Sequence, residues 1–327
     1  MESLEKIFHA FTELKVLIVG DVMLDSYIWG AVERISPEAP VPIVNVKKRD
    51  VRLGGAANVA LNVQALGATP ILVALRGADE AGKKLELILH QSGLSSEGLV
   101  ISAERPTTVK TRVIASHQHV VRVDEESDKV PTPTEEQMIM ERLDKLLPMC
   151  DVIIFEDYDK GALSERIIAH GVALANAHQC PTVVDPKKRN FLSYRGVSLF
   201  KPNLKEMREG LKIELEPGNQ AQLEKGIALL KSKMDVGGVM ATLSEHGVYI
   251  DYQNQRLKLA AHPREIADVS GAGDTVVSIA ALCVALNLPP QRIAALANLG
   301  GGLVCQYVGV VPISRSELLE EAVKEGI

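Results

Sequence analysis

Aromatic side chains are scarce in this sequence: Phe, Trp and Tyr make up 4% of 327 residues, although 46% of the chain is hydrophobic. The core must therefore be built from Val, Leu, Ile and Ala, a composition that suits parallel strands covered by helices on both faces. Positive charge is in deficit, with a formal net charge of -6. That balance excludes a broad nucleic-acid footprint, because affinity for the polyanion comes from clustered Lys and Arg. Cys150, Cys180, Cys283 and Cys305 contain no Cys-x-x-Cys pair and lie in or beside apolar stretches, where thiols act as small hydrophobes. The longest apolar run, Val276 to Leu288, is about 13 residues and too short to span a bilayer. Met1 to Lys15 mixes charge with apolar positions and has no signal-peptide core, so a reducing, cytoplasmic setting is expected. Internal repeats and low-complexity linkers are also lacking, which favours one principal domain over residues 1–327.

Continuous β-branched segments are present, with helical stretches between them: Val16 to Val19, Ile71 to Ala74, Val152 to Phe155, Thr182 to Val184, Leu199 to Phe200 and Val239 to Leu243. Their alternation predicts an α/β fold with a mostly parallel sheet and helical crossovers. Two segments break the rhythm. Residues 27–50 carry Pro37, Pro40 and Pro42 before Ile43-Val44-Asn45-Val46, which suits an edge strand. Residues 107–124 read as two strands about a polar turn. Together they predict a small projecting β-sheet, able to act as a lid over the carboxyl ends of the parallel strands and to pair between subunits in a homodimer.

The turn Asp268-Val-Ser-Gly271-Ala272-Gly273-Asp274-Thr275 leads straight into the apolar run. Its small residues let the backbone approach a ligand, and the first N–H groups of the following helix have no intrahelical acceptor. Such a turn favours a phosphate, and a carboxylate beside it is suited to accept a proton from an attacking hydroxyl. Asp274 is therefore the candidate base. Packing alone would also explain the small residues, with Asp274 and Thr275 as first-turn acid and cap. A dinucleotide fingerprint is excluded because Val276 stands where a third glycine is required. Gly77-Ala-Asp-Glu-Ala-Gly82-Lys83-Lys84 mimics a P-loop, but Lys84 replaces the magnesium-binding Ser or Thr, and Asp79 and Glu80 sit inside the would-be nest. A solvated turn opening a helix is expected there.

Further polar groups fall at predicted strand ends. The first strand is expected to end in Gly20-Asp-Val-Met-Leu-Asp25, and the next segment opens Gly54-Gly55-Ala-Ala-Asn58. A diglycine lets a polyol lie against the main chain, while Asp25 and Asn58 offer the acceptor and donor that sugar hydroxyls demand. Asn203-Leu-Lys-Glu206 follows another strand, and its spacing brings two hard oxygen ligands to one side of a helical turn, suited to magnesium through its waters.

With these motifs at both ends and in the middle, nearly the whole chain resembles the ribokinase-like (PfkB) sugar kinases. The resemblance implies an α/β/α sandwich with a β lid, ATP as phosphoryl donor, Asp274 as base, the amides of Gly271, Ala272 and Gly273 as anion hole, and Mg2+ near Asn203 and Glu206. It further implies that Thr242 and Gly247 lie by the nucleotide and that Asn298 is near the adenine pocket. Within that family, Gly20-Asp-Val-Met-Leu-Asp25, Arg34-Ile-Ser-Pro-Glu-Ala-Pro-Val-Pro42, Gly54-Gly-Ala-Ala-Asn58, Asp157-Tyr-Asp-Lys-Gly-Ala-Leu163 and Asp185-Pro-Lys187 look like the D-glycero-β-D-manno-heptose-7-phosphate kinases of ADP-heptose synthesis. Two positions depart from that likeness: Lys188 stands where Gly is common, and the turn Ala115-Ser-His-Gln-His119 is less basic than usual.

A substrate phosphate calls for cations that a simple sugar kinase would not need. Arg34, Lys110, Arg112, Arg122, Lys160 and Lys187 are candidates, with Arg34, Lys160 and Lys187 favoured because they lie inside the matched motifs. His117 and His119 share one side of a strand but lack a third metal ligand, so an exposed turn pair is expected. No His-x-Gly-His motif occurs, so a stand-alone or excised kinase is expected, with a separate nucleotidyltransferase as a conceivable partner enzyme. The alternatives are a kinase for another sugar or sugar phosphate, or a non-catalytic sugar-binding regulator on the same scaffold. The intact Gly271, Gly273 and Asp274 weigh against the second.

Overall fold

The computed structural model describes residues 3–115, 118–262 and 264–327. The main sheet is built from β1 (Lys15–Ile35), β3 (Thr69–Gly77), β4 (Leu99–Ser102), β7 (Val152–Glu156), β8 (Thr182–Asp185), β9 (Leu199–Phe200), β10 (Val239–Thr242), β11 (Val248–Tyr252) and β12 (Gln255–Leu259), and β2 (Pro42–Gly55), β5 (Thr108–Ala115) and β6 (Gln118–Glu125) lie outside it. Its strand order is β12-β11-β10-β9-β8-β7-β1-β3-β4. All neighbours are parallel except β10 with β11 and β11 with β12. Both faces are covered. Val16 and Ile18 of β1 pack into one apolar layer and Leu17 and Val19 into the other, as the period of two requires.

One layer contains α1 (Leu4–Ala10), α2 (Ala56–Ala65), α3 (Glu80–Gln91), α8 (Ala272–Ala285), α9 (Pro290–Val304) and α10 (Arg315–Lys324). The opposite layer contains α4 (Pro133–Leu146), α5 (Glu165–Ala177), α6 (Leu204–Leu211) and α7 (Gln220–Met234). The result is the expected α/β/α sandwich. Most of the apolar run 276–288 forms the body of α8, buried from Asp274 to Val284 between α2, α9 and the sheet. No helix among the described residues is long and apolar enough to cross a membrane.

The first strand does not end at Gly20 to Asp25 as its polar residues suggest. It changes partners instead. Lys15 to Asp21 pair with β3, whereas residues from Val22 onward pair antiparallel with β2 and from Met23 parallel with β5. Gly20 lies at the changeover, where a Cβ would collide with the carbonyl oxygen of Glu156 on β7. The chain thus runs into a second, smaller sheet ordered β2-β1-β5-β6. Val32, Val46, Val121 and Val123 are exposed on this small sheet, the last two by 49% each. Ser116 and His117, at its polar turn, lie outside the described residues, while His119 is exposed on β6.

The P-loop mimic is a capped helix start. Asp79 precedes α3 and accepts hydrogen bonds from Gly82 N at 2.7 Å, Thr107 N at 2.8 Å and Thr107 Oγ1 at 2.7 Å. Asp79→Ala should therefore lower stability by about 2 to 3 kcal/mol, since it removes a cap and two anchors. A urea melt with an unchanged slope and an earlier midpoint would show it.

Candidate active site

Helix α8 opens on Gly271, which adopts φ 80° and ψ -1°, a left-handed conformation that side chains disfavour. A Cβ there would lie 3.2 Å from Asn58 Nδ2, so the residue also keeps the turn open toward α2. The turn is fixed from outside: Asp268 accepts from Ser270 N at 2.9 Å, Ser270 Oγ at 2.8 Å and Gly309 N at 2.9 Å. Ala272 N donates to Val269 O at 3.3 Å, and Thr275 N to Gly271 O at 3.0 Å. The N–H groups of Gly273 and Asp274 lie in the first turn, ahead of any intrahelical acceptor.

Asp274 is only 3% exposed. Its Oδ2 accepts from Asn58 Nδ2 at 2.6 Å and its Oδ1 from the Tyr158 hydroxyl at 2.7 Å. Burial pushes its carboxyl up to about 6, although the Asn58 and Tyr158 hydrogen bonds pull the other way. A carboxylate poised near neutrality suits proton transfer. Asn58 is itself held by Asn62, which donates to Asn58 O at 2.9 Å and accepts from Thr275 Oγ1 and Ile313 N at 3.0 Å each. A polar seam thus joins α2 to α8 within the apolar layer.

Asp25 lies on β1 where it passes between β2 and β5, buried and ion-paired with Arg112. The diglycine has a steric reason in the fold. A Cβ on Gly54 would fall on Asp25 Oδ2, and one on Gly55, at φ 59°, would strike Asp21 O. Of the cations named from sequence, Lys110 and Lys160 share Glu126, at 2.9 and 2.8 Å, and Arg122 contacts Asp124 at 3.0 Å. Arg34 is exposed and has no ion pair among the described residues. Lys187 sits apart from the small sheet, with Nζ 2.6 Å from Glu206 Oε1 and 5.3 Å from the Tyr158 ring centre. Burial opposes its charge, yet Asp185 and Glu206 hold it above the usual lysine range.

Asn203 and Glu206 form a reciprocal capping box at the start of α6: Glu206 N donates to Asn203 Oδ1 at 2.9 Å, and Asn203 N to Glu206 Oε2 at 2.8 Å. Lys201 Nζ stands 2.9 Å from Asp185 Oδ2, and a Cβ on Gly273 would lie 3.4 Å from that same oxygen, so this cluster adjoins the turn. No three His, Cys, Asp or Glu among the described residues are grouped to chelate a metal directly. Thr242 bridges to Asn203. Gly247, at φ 82°, packs on residues 259–261, and Asn298 Nδ2 donates to Ala260 O at 2.8 Å. Gly247 and Asn298 therefore meet one segment beyond β12.

Three groups escaped the sequence reading. Asp21 accepts from Tyr158 N at 2.8 Å, Lys160 N at 3.0 Å and Ala162 N at 2.8 Å, fixing the loop that carries Tyr158. Glu156, at the end of β7, is fully buried with neither oxygen hydrogen-bonded among the described residues. Burial, with Asp185 and Asp274 nearby, pushes its pKa well above the usual carboxylate range. Tyr158 lies inside a quoted motif, but its neighbour Asp274 is 116 positions away, so no local spacing signals the contact.

A buried carboxylate beside free helix-start amides, with polar groups for a hydroxylated ligand on one side and a lysine–carboxylate cluster on the other, fits transfer of a charged group to an alcohol. Comparison with known proteins agrees: the pattern of the pfkB family carbohydrate kinases matches residues 13–316, and the chain belongs to that family. Among curated relatives, the bifunctional protein HldE of Wolinella succinogenes is 39% identical over 306 residues, covering 93% of this chain and 64% of that protein. The HldE protein of Caulobacter vibrioides is 40% identical, covering 97% and 65%. The chain thus spans slightly under two thirds of these relatives. Among solved structures, phosphofructokinase-2 from Escherichia coli in complex with substrates and products superposes with a TM-score of 0.75 at 16% identity, covering 96% of this chain and 100% of that one. Arabidopsis thaliana ribokinase complexed with ribose and ATP gives a TM-score of 0.72 at 16% identity, covering 94% and 99%. The fold is accordingly ribokinase-like.

Proposed function

We propose that this carbohydrate kinase transfers the γ-phosphoryl group of ATP to the C1 hydroxyl of D-glycero-β-D-manno-heptose 7-phosphate, giving the 1,7-bisphosphate for ADP-heptose synthesis. The observation that carries the chemistry is Asp274, tethered by Asn58 and set in the first turn of α8 beside amides with no helical acceptor. The heptose rests on the motifs around Asp25, Arg34, Asn58, Asp157 and Asp185, and relatives at 39–40% identity support it.

In this reading Asp25 and Asn58 hold sugar hydroxyls, with Gly54 and Gly55 leaving the space. Asp274 orients the C1 hydroxyl and takes its proton as the new O–P bond forms and the γ-phosphorus parts from the bridging oxygen of the departing ADP, and the amides of Gly271 to Gly273 receive the charge on the phosphoryl oxygens. Ala272 N is partly engaged by Val269 O, so Gly273 N and Asp274 N contribute most. Thr242, Gly247 and Asn298 border the nucleotide.

Magnesium fits the donor set through water. The oxygens are hard, and among the described residues Glu156 has neither carboxyl oxygen hydrogen-bonded and Asp185 Oδ1 has no hydrogen bond, with Lys187 Nζ 3.6 Å away. Asn203 and Glu206, locked by their capping box, would face the ion's waters. When bound, the ion supplies charge neutralisation on the transferring phosphoryl group.

Residues 1–327 act as one kinase domain, with 27–50 and 107–124 as its lid. The substrate phosphate meets cations there: Arg34 is without an ion pair among the described residues, and Lys160 can turn from Glu126. Lys187 borders the phosphoryl-transfer end, where either phosphate could draw on its charge. The exposed valines of the small sheet suit a homodimer through the lid. The reaction would draw on cytoplasmic ATP, and a nucleotidyltransferase would act on its product.

ADP release measured with heptose 7-phosphate, the same heptose without phosphate, and fructose 1-phosphate tests the assignment. The 7-phosphate should be preferred by at least about tenfold in kcat/KM, the scale of one lost charge-assisted contact. Preference for the unphosphorylated heptose would defeat the assignment and leave the sugar-kinase class standing.

A further inference from the structure

The geometry points to Tyr158 as a positioning residue for phosphoryl transfer, acting through its hydroxyl on the carboxylate of Asp274. The inference rests on the reading of Asp274 as base. Tyr158 follows β7 in a loop whose place is set by Asp21, which accepts the amides of residues 158, 160 and 162. The residue as a whole is half-buried, and its ring carries Lys187 Nζ 5.3 Å from its centre. Its hydroxyl donates to Asp274 Oδ1 at 2.7 Å, opposite the Asn58 donor on Oδ2.

Two donors, one on each oxygen, fix the plane of the carboxylate. Rotation about its terminal torsion would break both, while each oxygen keeps a lone pair free, one of them for a substrate hydroxyl. The phenol is suited to this role because it is neutral. Burial raises its pKa well above the usual value, and Asp274 and Glu156 add to the effect, so it stays a donor at every working pH. A cation in its place would drive Asp274 toward a weakly basic carboxylate. The ionisable groups around Asp274 are Asp185 at the end of β8 with its partner Lys201, Lys187 beyond it and Glu156 at the end of β7; Tyr158→Phe removes none of them and keeps the ring that carries Lys187.

Removing the hydroxyl withdraws a hydrogen bond that stabilises the charged form, so the Asp274 pKa rises. For Tyr158→Phe the acid limb of the kcat/KM profile should move up by about half to one pH unit, the equivalent of one hydrogen bond. Turnover at pH 7 should fall about tenfold through lost alignment, with KM for ATP within about twofold. Site-specific 3-fluorotyrosine at 158 has a more acidic phenol and donates more strongly, so its limb should move down instead. A packing role would produce neither opposite shift.

Asp157 also has a pKa raised to about 6, chiefly by burial, and accepts from the Tyr194 hydroxyl at 2.7 Å. Tyr194→Phe is therefore the control and should leave the limb in place. An unmoved limb in Tyr158→Phe, or a limb unmoved by fluorination, overturns the inference. Should the phenylalanine variant fail to fold, the fluorinated protein carries the test. If Asp274→Asn abolishes turnover while both Tyr158 variants leave the profile unchanged, only the phenol's role fails. If Asp274→Asn remains active, the base assignment and this inference fall together.

Discussion

Asp274→Asn is expected to lower kcat by roughly two to four powers of ten while changing ATP affinity little, the usual scale for loss of a general base. The asparagine keeps the shape of the side chain and can still accept from either Asn58 or Tyr158. It cannot take a proton. Steady-state rates with nucleotide binding measured separately distinguish this outcome from general damage to the site.

The same substitution should not destabilise the protein. A carboxyl whose folded pKa is about 6 against an ordinary 3.8 holds its proton more tightly in the folded state. That contribution is fully present below the unfolded pKa and is lost as pH rises through the folded one. At pH 7 the folded protein therefore bears a buried charge, at a cost on the order of 3 kcal/mol by linkage. Asn carries none. The variant should melt at the wild-type temperature or above it at pH 7, with the difference narrowing toward pH 4. Lost activity with retained stability separates a functional acid from a structural cap.

Gly54→Ala is expected to raise the KM for the sugar by about thirtyfold or more, because the new methyl occupies the position of the Asp25 carboxylate. If Asp25 holds sugar hydroxyls as proposed, displacing it removes charge-assisted hydrogen bonds that each contribute about 1.5 to 3 kcal/mol. It also strains the Asp25–Arg112 pair, and Met23 Cγ leaves little room on the other side. The proposed nucleotide end, at Thr242, Gly247 and Asn298, is away from Gly54, so KM for ATP should change less than about threefold. Initial rates at varied sugar and fixed saturating ATP, then the reverse, give both constants. An unaltered sugar KM would detach Asp25 from substrate binding.

The parallel sheet was legible in the sequence because strands buried on both faces must be continuously apolar; Val16 to Val19, Val152 to Phe155 and Val239 to Leu243 read as such and fall in β1, β7 and β10, with Leu243 just past the end of the last. The extension of β1 was not legible. Gly20, Asp21 and Asp25 look like the end of a strand, yet pairing continues because a second sheet supplies new partners as the first gives way. The turn at Gly271 to Asp274 stood out because glycine and a free helix start have local signatures. Its supports did not. Tyr158 reaches Asp274 across 116 positions, and Asp21 holds a loop about 140 positions away, contacts that only the assembled sheet creates. Glu156 reads as an ordinary polar residue closing an apolar strand; its unpaired burial depends on the neighbouring Asp185 and on Gly20, whose missing side chain lets the strands close around it.

The most direct test of the account is 31P NMR of the protein incubated with magnesium, ATP and D-glycero-β-D-manno-heptose 7-phosphate. The ATP γ signal should decline in step with a new phosphomonoester resonance coupled to the sugar's anomeric proton, beside an unchanged C7 phosphate. Release of inorganic phosphate alone, or a new ester on any other carbon, would contradict it.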